Sequence, residues 1–392
     1  MSTLISVFLP TFSRLYDGHL ERAIQSVLKQ TYSNFELLII DDASVDGSKE
    51  LIESYAKQDT RIKHIRLKRN IGLPAFSIGL AYQQSKGDLL AFAYDDAILT
   101  PDHLAVLLNK FQVNPQLGMA YGQAYIHWPD GAKTKIGSPY NATAMAQMNN
   151  HIPNLSVMVR RDVIETVGLY DPHVILSRFY DWDLWVRIAK HYPIGFVEKV
   201  IGEEYGTRLS DSIGHTFTVL PNLICKYALM ERNDVLLPTQ FVNYDPYSMS
   251  FEQQLAPVEK MQIRYLLLEH YTKTYNIPRI LQLMDEWPQQ SIEGVTMTQW
   301  YKIAAKNEGL ANLKQQQLLQ GVLGYSNMES SLVKAEAAKL SDLVNSKQKY
   351  IDEQQKFIDQ REIYIQQQLI RIQELEIYIQ EQARYIQMLL KR

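Results

Sequence analysis

The chain has a single cysteine, Cys225, in 392 residues. No internal disulfide can form, and a metal site built on several thiolates is excluded. A lone thiol suits a reducing compartment, so a cytoplasmic location is the expectation. Neither sign of charge dominates: 40 basic against 43 acidic residues leave a formal net charge of −3. That balance argues against a surface built for nucleic acid. No stretch approaches the roughly 18–20 uninterrupted apolar residues that span a bilayer, so any membrane contact would be peripheral. The opening segment MSTLISVFLPTFSR lacks a basic region before its apolar run and a small-residue cleavage site after it, and reads as a first strand rather than a signal peptide.

What is present is a chain of 46% hydrophobic residues, long enough for one large unit plus smaller elements. Short apolar runs at Ile5–Leu9, Phe35–Ile40, Ile62–Leu67, Leu89–Ala93 and Met119–Tyr125 read as strands, with helical patterns between most of them. This alternation predicts an α/β fold with a mostly parallel sheet over residues 1–216. Residues 217–340 read as mainly helical. From Ser341 to Arg392 there is neither glycine nor proline, and Ile351, Ile358, Ile365, Ile372, Ile379 and Ile386 recur every seven residues. A sustained seven-residue repeat predicts a left-handed coiled coil, hence a homo-oligomer. A long helix folded back on its own domain is the alternative. The second seam position is mixed and does not fix the number of chains.

Two acidic pairs stand where apolar runs stop: Asp41-Asp42 in FELLIIDDAS and Asp95-Asp96 in DLLAFAYDDAILTPDH. Ligands of open α/β sheets bind beyond the carboxyl ends of the strands, which puts both pairs at the expected binding edge. Adjacent carboxylates repel and invite a divalent cation or hydrogen-bond donors. Aspartates are also common in turns, and for Asp41 alone the turn is the favoured reading. After Asp96, Thr100 and Pro101 offer a helix N-cap and a first-turn proline, so the acidic pair is not needed for the turn. A third acidic site opens the helical pattern YDWDLWVRIAKHY. There Asp181 shares the apolar face of Leu184, Trp185 and Ile188, while Asp183 faces Arg187 one turn on, as in a surface ion pair. Capping would by itself explain Asp181.

In order, the segments SVFLPTFSR, AIQSVLKQTYSNFELLIIDDASVDGS, NIGLPAFSIGLAYQQSKGDLLAFAYDDA, VMVRRDVIETVGLYD and YDWDLWVRIAKHY resemble family 2 of the glycosyltransferases, whose members have the GT-A fold. The resemblance covers roughly residues 4–215. It implies that Pro10, Thr11 and Asp42 line the base and ribose of a nucleoside-diphosphate sugar donor, with Asp95 beside the diphosphate. It further implies that Asp96 binds Mn2+ or Mg2+ and that Asp181 is the catalytic base of an inverting transfer to a glycan or other hydroxyl acceptor. Three departures stand out. Tyr94 replaces the first acidic residue of a full Asp-x-Asp, Tyr180 stands where many relatives have Glu, and Arg208 lies near a position where many relatives have a metal-binding His, with His215 a few residues later.

The chemistry needs no activated Ser or Cys, because a single displacement forms no covalent intermediate. Arg14 and Arg69 follow strands near the expected donor site and are open candidates for the diphosphate. A nucleotidyltransferase would carry a glycine-rich loop after the first strand, and PTFSRLYDG lacks consecutive glycines. A scaffold with a degenerate transferase domain, working through the coiled coil, is the reading from another class. Bacterial surface polysaccharide or glycoconjugate synthesis is what the family most often implies.

Overall fold

The computed structural model describes residues 2–205 apart from 17 and 129, residues 220–229 and 244–248, and, with short gaps, residues 252–283. The expected coiled coil of residues 341–392, and the positions of Arg208 and His215, lie outside the described residues. Residues 1–293 form one compact unit.

The first half of that unit winds as the apolar pattern predicts. Strand β1 (Ile5–Thr11) leads through helix α1 (His19–Leu28) to β2 (Phe35–Asp41), then through α2 (Ser48–Gln58) to β3 (Ile62–Arg66), and through α3 (Pro74–Tyr82) to β4 (Leu89–Phe92). Both β1 and β2 are buried along their whole length, as strands covered on both faces must be. Helix α1 is held on the sheet by Leu20, Ala23, Ile24 and Val27, a buried stripe at helical spacing. The order β3-β2-β1-β4 is parallel throughout. Because the chain returns past β1 to place β4, the winding reverses between β1 and β4, where α/β sheets open a crevice.

Beyond β4 the expectation of a mostly parallel sheet fails. Strands β5 (Ala97–Leu99), β6 (Met119–His127), β7 (Lys133–Ile136), β8 (Val157–Arg160) and β9 (Ile194–Tyr205) extend one sheet in the order β4-β8-β6-β9-β5, with β7 on β6. Of the eight pairings, β4–β8, β6–β8, β5–β9 and β6–β7 are antiparallel, so the sheet is mixed. A turn joins β4 to β5 and a hairpin joins β6 to β7, where a crossover helix would have kept the strands parallel. Apolar runs mark strands without marking their direction.

Helix α4 (His103–Val113) begins later than Thr100-Pro101 suggested. Residues 97–99 are first used for β5, and the Thr100 hydroxyl bonds to Asp102 and to the Ile201 carbonyl rather than capping the helix. Helices α5 (Ala142–Ala146), α6 (Arg161–Val167) and α7 (Tyr180–Ala189) complete this part. Farther on, α8 (Pro221–Leu229) and α9 (Pro257–Lys273) pack back onto it. The Tyr227 hydroxyl donates to Asp171 at 2.9 Å, the Pro246 carbonyl accepts the Val174 N–H at 2.9 Å, and His173 Nε2 meets the Ser248 carbonyl at 2.7 Å. These three bonds fix the segment that leads into α7. Among the described residues no helix is long and apolar enough to cross a membrane.

Candidate active site

The carboxyl edge of β1 carries Pro10 and Thr11. In a parallel ladder alternate residues bond to alternate neighbours: Phe8 accepts from Ala93 on the β4 side and Thr11 from Asp42 on the β2 side. Pro10 therefore faces the β4 side, two residues past Phe8, the last residue paired with β4. Its missing N–H removes no ladder bond, which is how a proline sits in a central strand. Just beyond, Ser13 and Ala43 hold φ of 51° and 63°, a left-handed conformation that costs non-glycine residues energy. Both lie immediately after the first two strands, where the loops turn out toward the crevice.

The two aspartates after β2 have separate tasks. Asp41 is fully buried, accepts the Ser44 N–H at 2.7 Å and pairs with Arg66. Burial alone would raise its pKa, but His64, Ser44 and the Arg66 charge outweigh that and bring it down to about 2. This is the turn role expected of it. Asp42 is 7% exposed and accepts two backbone donors, Ile71 N–H at 2.8 Å and Gly72 N–H at 2.7 Å. Burial is the stronger influence here, with repulsion from Asp41 adding to it, and the carboxyl is pushed up to about 6.

Asp95 and Asp96 occupy the turn between β4 and β5, at the reversal of the winding. Burial and the neighbouring Asp96 raise the pKa of Asp95, while the Arg14 charge and hydrogen bonds from Thr11 and Phe12 oppose the rise. Arg14 Nε stands 3.7 Å from Asp95 Oδ1, and the arginine is itself 7% exposed. The structure thus brings Arg14, which the sequence left open, onto the acidic pair. Two adjacent carboxylates with one arginine fit one side of a divalent cation, whose remaining ligands would come from water and a diphosphate. Among the described residues no third His, Cys, Asp or Glu joins them.

Asp181 lies in the first turn of α7, half-buried. It does not cap the helix: Oδ1 accepts the adjacent Trp182 N–H at 2.6 Å, and Oδ2 accepts Asn150 Nδ2 at 3.1 Å. Tyr170 and Tyr180, 0% and 6% exposed with rings 5.0 Å apart, wall the site beneath it. Burial against this wall raises the Asp181 carboxyl to about 7, against the opposing pull of Trp182, Asn150 and Arg178. The Tyr180 hydroxyl lies within electrostatic reach of both Asp181 and Asp96, which ties the two acidic sites to one cleft.

One expectation about this helix is corrected. Asp183 is no surface residue: its side chain is 2% exposed, and its partner Arg187, at 2.9 Å, is 17% exposed. Arg187 also donates to the carbonyls of Val167, Gly168 and Leu169, so the pair bolts α7 to the end of α6. Spacing alone gave the pairing but not its depth.

Residues 6–183 match the family described as Glycosyl transferase family 2. The matched span begins in β1 and ends inside α7, so it contains all three acidic sites. The likeness to family 2 glycosyltransferases thus belongs to this segment, somewhat under half of the chain. An uncharacterized glycosyltransferase of Rickettsia conorii is 26% identical to the chain over 276 residues, covering 69% of this chain and 43% of the relative. TuaG of Bacillus subtilis, named for teichuronic acid biosynthesis, is 28% identical over 190 residues, covering 48% of this chain and 72% of the relative. The chain thus spans less than half the length of the Rickettsia protein. Among solved structures, S. aureus TarS 1–349 in complex with UDP-GlcNAc is similar at 16% identity and a TM-score of 0.46, covering 77% of this chain and 80% of that one.

Around the matched segment the structure adds residues that sequence reasoning passed over. Asn150 reaches Asp181 from the loop after α5, and no motif marks it. Glu204, on β9, has its carboxyl raised by burial and by Asp181. Its strand pairs with the acidic turn's own exit: Ala97 faces Glu204, and the Tyr205 N–H donates to the Asp96 carbonyl at 2.8 Å. The pair GluGlu203-204 in IGEEYGTR was the available signal. The loop from Trp128 to Tyr140 forms the β6–β7 hairpin and its exit, with Trp128 tied to Thr134 at 2.9 Å.

Proposed function

We propose that the chain is an inverting glycosyltransferase that moves a sugar from a nucleoside-diphosphate sugar to an acceptor hydroxyl, in the synthesis of a surface polysaccharide or other glycoconjugate. The observation that carries this is that Asp42 and the Asp95-Asp96 pair follow β2 and β4 at the carboxyl ends of the strands flanking β1, with Asp181 and Asp96 both within electrostatic reach of Tyr180, all inside the matched segment. The name of TuaG supports the polysaccharide class.

In this reading Pro10, Thr11 and Asp42 receive the base and ribose. Asp42 is preorganised for that task because the Ile71 and Gly72 N–H groups fix its orientation. Asp96, with Asp95 beside it, would hold Mn2+ or Mg2+, which supplies Lewis-acid neutralisation of the charge on the departing diphosphate. Arg14 orients Asp95 and adds a positive charge on the same side. Asp181 takes the acceptor's proton. The acceptor oxygen bonds to the anomeric carbon as the bond from that carbon to the diphosphate oxygen breaks, and the electron pair leaves with the nucleoside diphosphate. One displacement inverts the anomeric centre. A carboxyl near 7 suits a general base working at neutral pH, because it is ionised in part yet still basic enough to accept the proton.

The reading is tested by thermal shift with UDP, GDP and dTDP and their sugars, with and without Mn2+, on wild type, Asp96→Ala and Asp181→Asn. A ligand at a hundred times its dissociation constant adds about 2.7 kcal/mol of stability. Stabilisation that requires metal, is lost in Asp96→Ala and survives in Asp181→Asn upholds it. If no nucleotide stabilises any form, the degenerate-scaffold reading takes its place.

A further inference from the structure

The chain beyond the matched domain reaches the donor end of the cleft. His270, in the last turn of α9, is 1% exposed, and its Nε2 lies 2.8 Å from the carbonyl oxygen of Ile71. The Tyr247 ring lies tilted against it at 5.4 Å between ring centroids, with its hydroxyl 3.2 Å from the same Nε2. That hydroxyl is also 3.5 Å from the Ile71 carbonyl and close enough to Arg69 and Asp42 to feel both charges. Thr274 accepts no freedom for its own turn: its hydroxyl donates to the His270 carbonyl at 2.9 Å.

The peptide held in this way is the one that holds Asp42. The Ile71 carbonyl and the Gly72 N–H belong to a single planar unit, so a bond to the carbonyl fixes where the N–H points. That N–H is one of the two donors to Asp42. Gly72 has φ of +66°, and a Cβ there would stand 2.7 Å from Thr274 Cγ2 and 3.4 Å from His270 Cε1. The loop therefore approaches α9 as closely as a residue without a side chain allows. A small cavity lined by Gly72, Leu73, Pro74, Val174, Ser177, Leu266 and His270 marks where α9 meets both this loop and the segment leading into α7.

We infer that His270, steadied by Tyr247, is a positioning residue for the nucleotide: it fixes the Ile71–Gly72 peptide and through it the Asp42 carboxylate that receives the base and ribose of a nucleoside diphosphate. The inference rests on the proposed donor site. It assigns His270 and Tyr247 a part in donor affinity rather than in the transfer step, since their bonds run to the peptide that holds Asp42.

The test uses the full chain. Wild type, His270→Leu, His270→Gln, Tyr247→Phe and Asp42→Ala are titrated with UDP, GDP and dTDP in the presence of Mn2+, and hydrolysis of the matching nucleotide sugar gives KM and kcat. His270→Leu removes the donor, and His270→Gln restores an N–H within reach of the carbonyl. Expected is a rise of about tenfold in the dissociation constant and in KM for His270→Leu, the equivalent of one lost hydrogen bond. The kcat should fall less than twofold, His270→Gln should recover most of the affinity, and Tyr247→Phe should show a smaller rise. Wild-type affinity in folded His270→Leu and Tyr247→Phe overturns the inference, as does a fall in kcat with KM unchanged. If His270→Leu does not fold, Tyr247→Phe decides it alone, and wild-type affinity there overturns the inference. If the wild type binds no nucleotide, the donor-site reading has failed. If the wild type binds, Asp42→Ala does not, and the His270 variants bind normally, only this inference has failed.

Discussion

The Asp181 carboxyl sits near 7, where an ordinary aspartate stands near 3.9, and activity should carry that signature. A general base acts only when ionised. Below its pKa the ionised fraction, and with it kcat/KM, falls about tenfold per pH unit, so activity at pH 5 should be on the order of a hundredfold below the plateau. An unperturbed aspartate would be more than about 90% ionised at pH 5 and would show almost no loss. Asn150 donates to Oδ2 and favours the ionised form. Removing it in Asn150→Ala should carry the limb to higher pH by up to about one unit, since a hydrogen bond to a charged group is worth roughly 1.5–3 kcal/mol before solvent takes its place. Asp181→Asn should lose about a hundredfold to ten-thousandfold and the limb together. The assay is nucleotide-sugar hydrolysis from pH 4.5 to 9, run in parallel on Asp42→Asn so that ionisation of Asp42 is subtracted. A limb centred near 4 refutes the argument that burial against the tyrosine wall sets this base, and one that stays in place in Asn150→Ala refutes the part given to the Asn150 hydrogen bond.

Asp183→Ala should destabilise the protein by about 3 kcal/mol, because it leaves the Arg187 guanidinium largely buried against three carbonyls; a surface pair would cost under about 1 kcal/mol. Urea unfolding measures this, and a loss below about 1 kcal/mol contradicts the buried pair. Nucleotide affinity should rise as pH increases through about 6, where Asp42 ionises, and the dependence should vanish in Asp42→Asn; a flat titration curve in wild type removes Asp42 from the site. Because Asp42 and Asp181 hold protons more tightly folded than unfolded, the native state binds more protons between about pH 4 and 7, so the unliganded protein should lose stability across that window as pH rises. Melting temperatures that climb instead would show that other groups dominate. Ending the chain before Ser341 should lower the sedimentation mass of the assembly while leaving donor hydrolysis intact, and an unchanged mass refutes oligomerisation through the heptad tail.

The sequence made the first half of the sheet legible because its strands are buried on both faces and show as unbroken apolar runs, as at Phe35–Asp41. The direction of β5 to β9 was not legible, because direction depends on connections and not on hydrophobicity. Asp42, Asp96 and Asp181 could be proposed from the sequence because each stands at the end of an apolar run or at the start of a helical one. Asn150 could not, since a polar residue in a loop looks the same whether or not it reaches a carboxylate thirty-one positions away. The depth of Asp183 was missed for a related reason: helical spacing shows which residues face each other, but not that α6 covers them. His270 and Tyr247 are a limit of the same kind. A buried histidine on an apolar helix gives no hint of the carbonyl it meets 199 residues earlier in the chain.

The five carboxylates at this edge show how one crevice keeps charges of a single sign in different states. Asp41 is compensated by Arg66 and stays ionised, serving as a fixed part of the turn. Asp42 has two backbone donors, and among the described residues no cation pairs with it; burial holds its carboxyl near 6. In the Asp95-Asp96 pair burial and the repulsion of the adjacent carboxylates raise Asp95, and the Arg14 charge opposes that rise. Asp181 has two hydrogen bonds, the Arg178 charge and a wall of tyrosines, and burial outweighs them to leave its carboxyl near 7. In the proposed reading, binding, charge neutralisation and proton transfer divide among aspartates that differ in the compensation each receives, since the side chain itself is the same. Adding a cation beside Asp181, as in Asn150→Lys, should on this argument lower its pKa and weaken it as a base even though it becomes fully ionised. The pH limb should then move below 6 while the plateau of kcat falls. A plateau that holds or rises would mean that ionisation alone, and not basicity, limits the transfer.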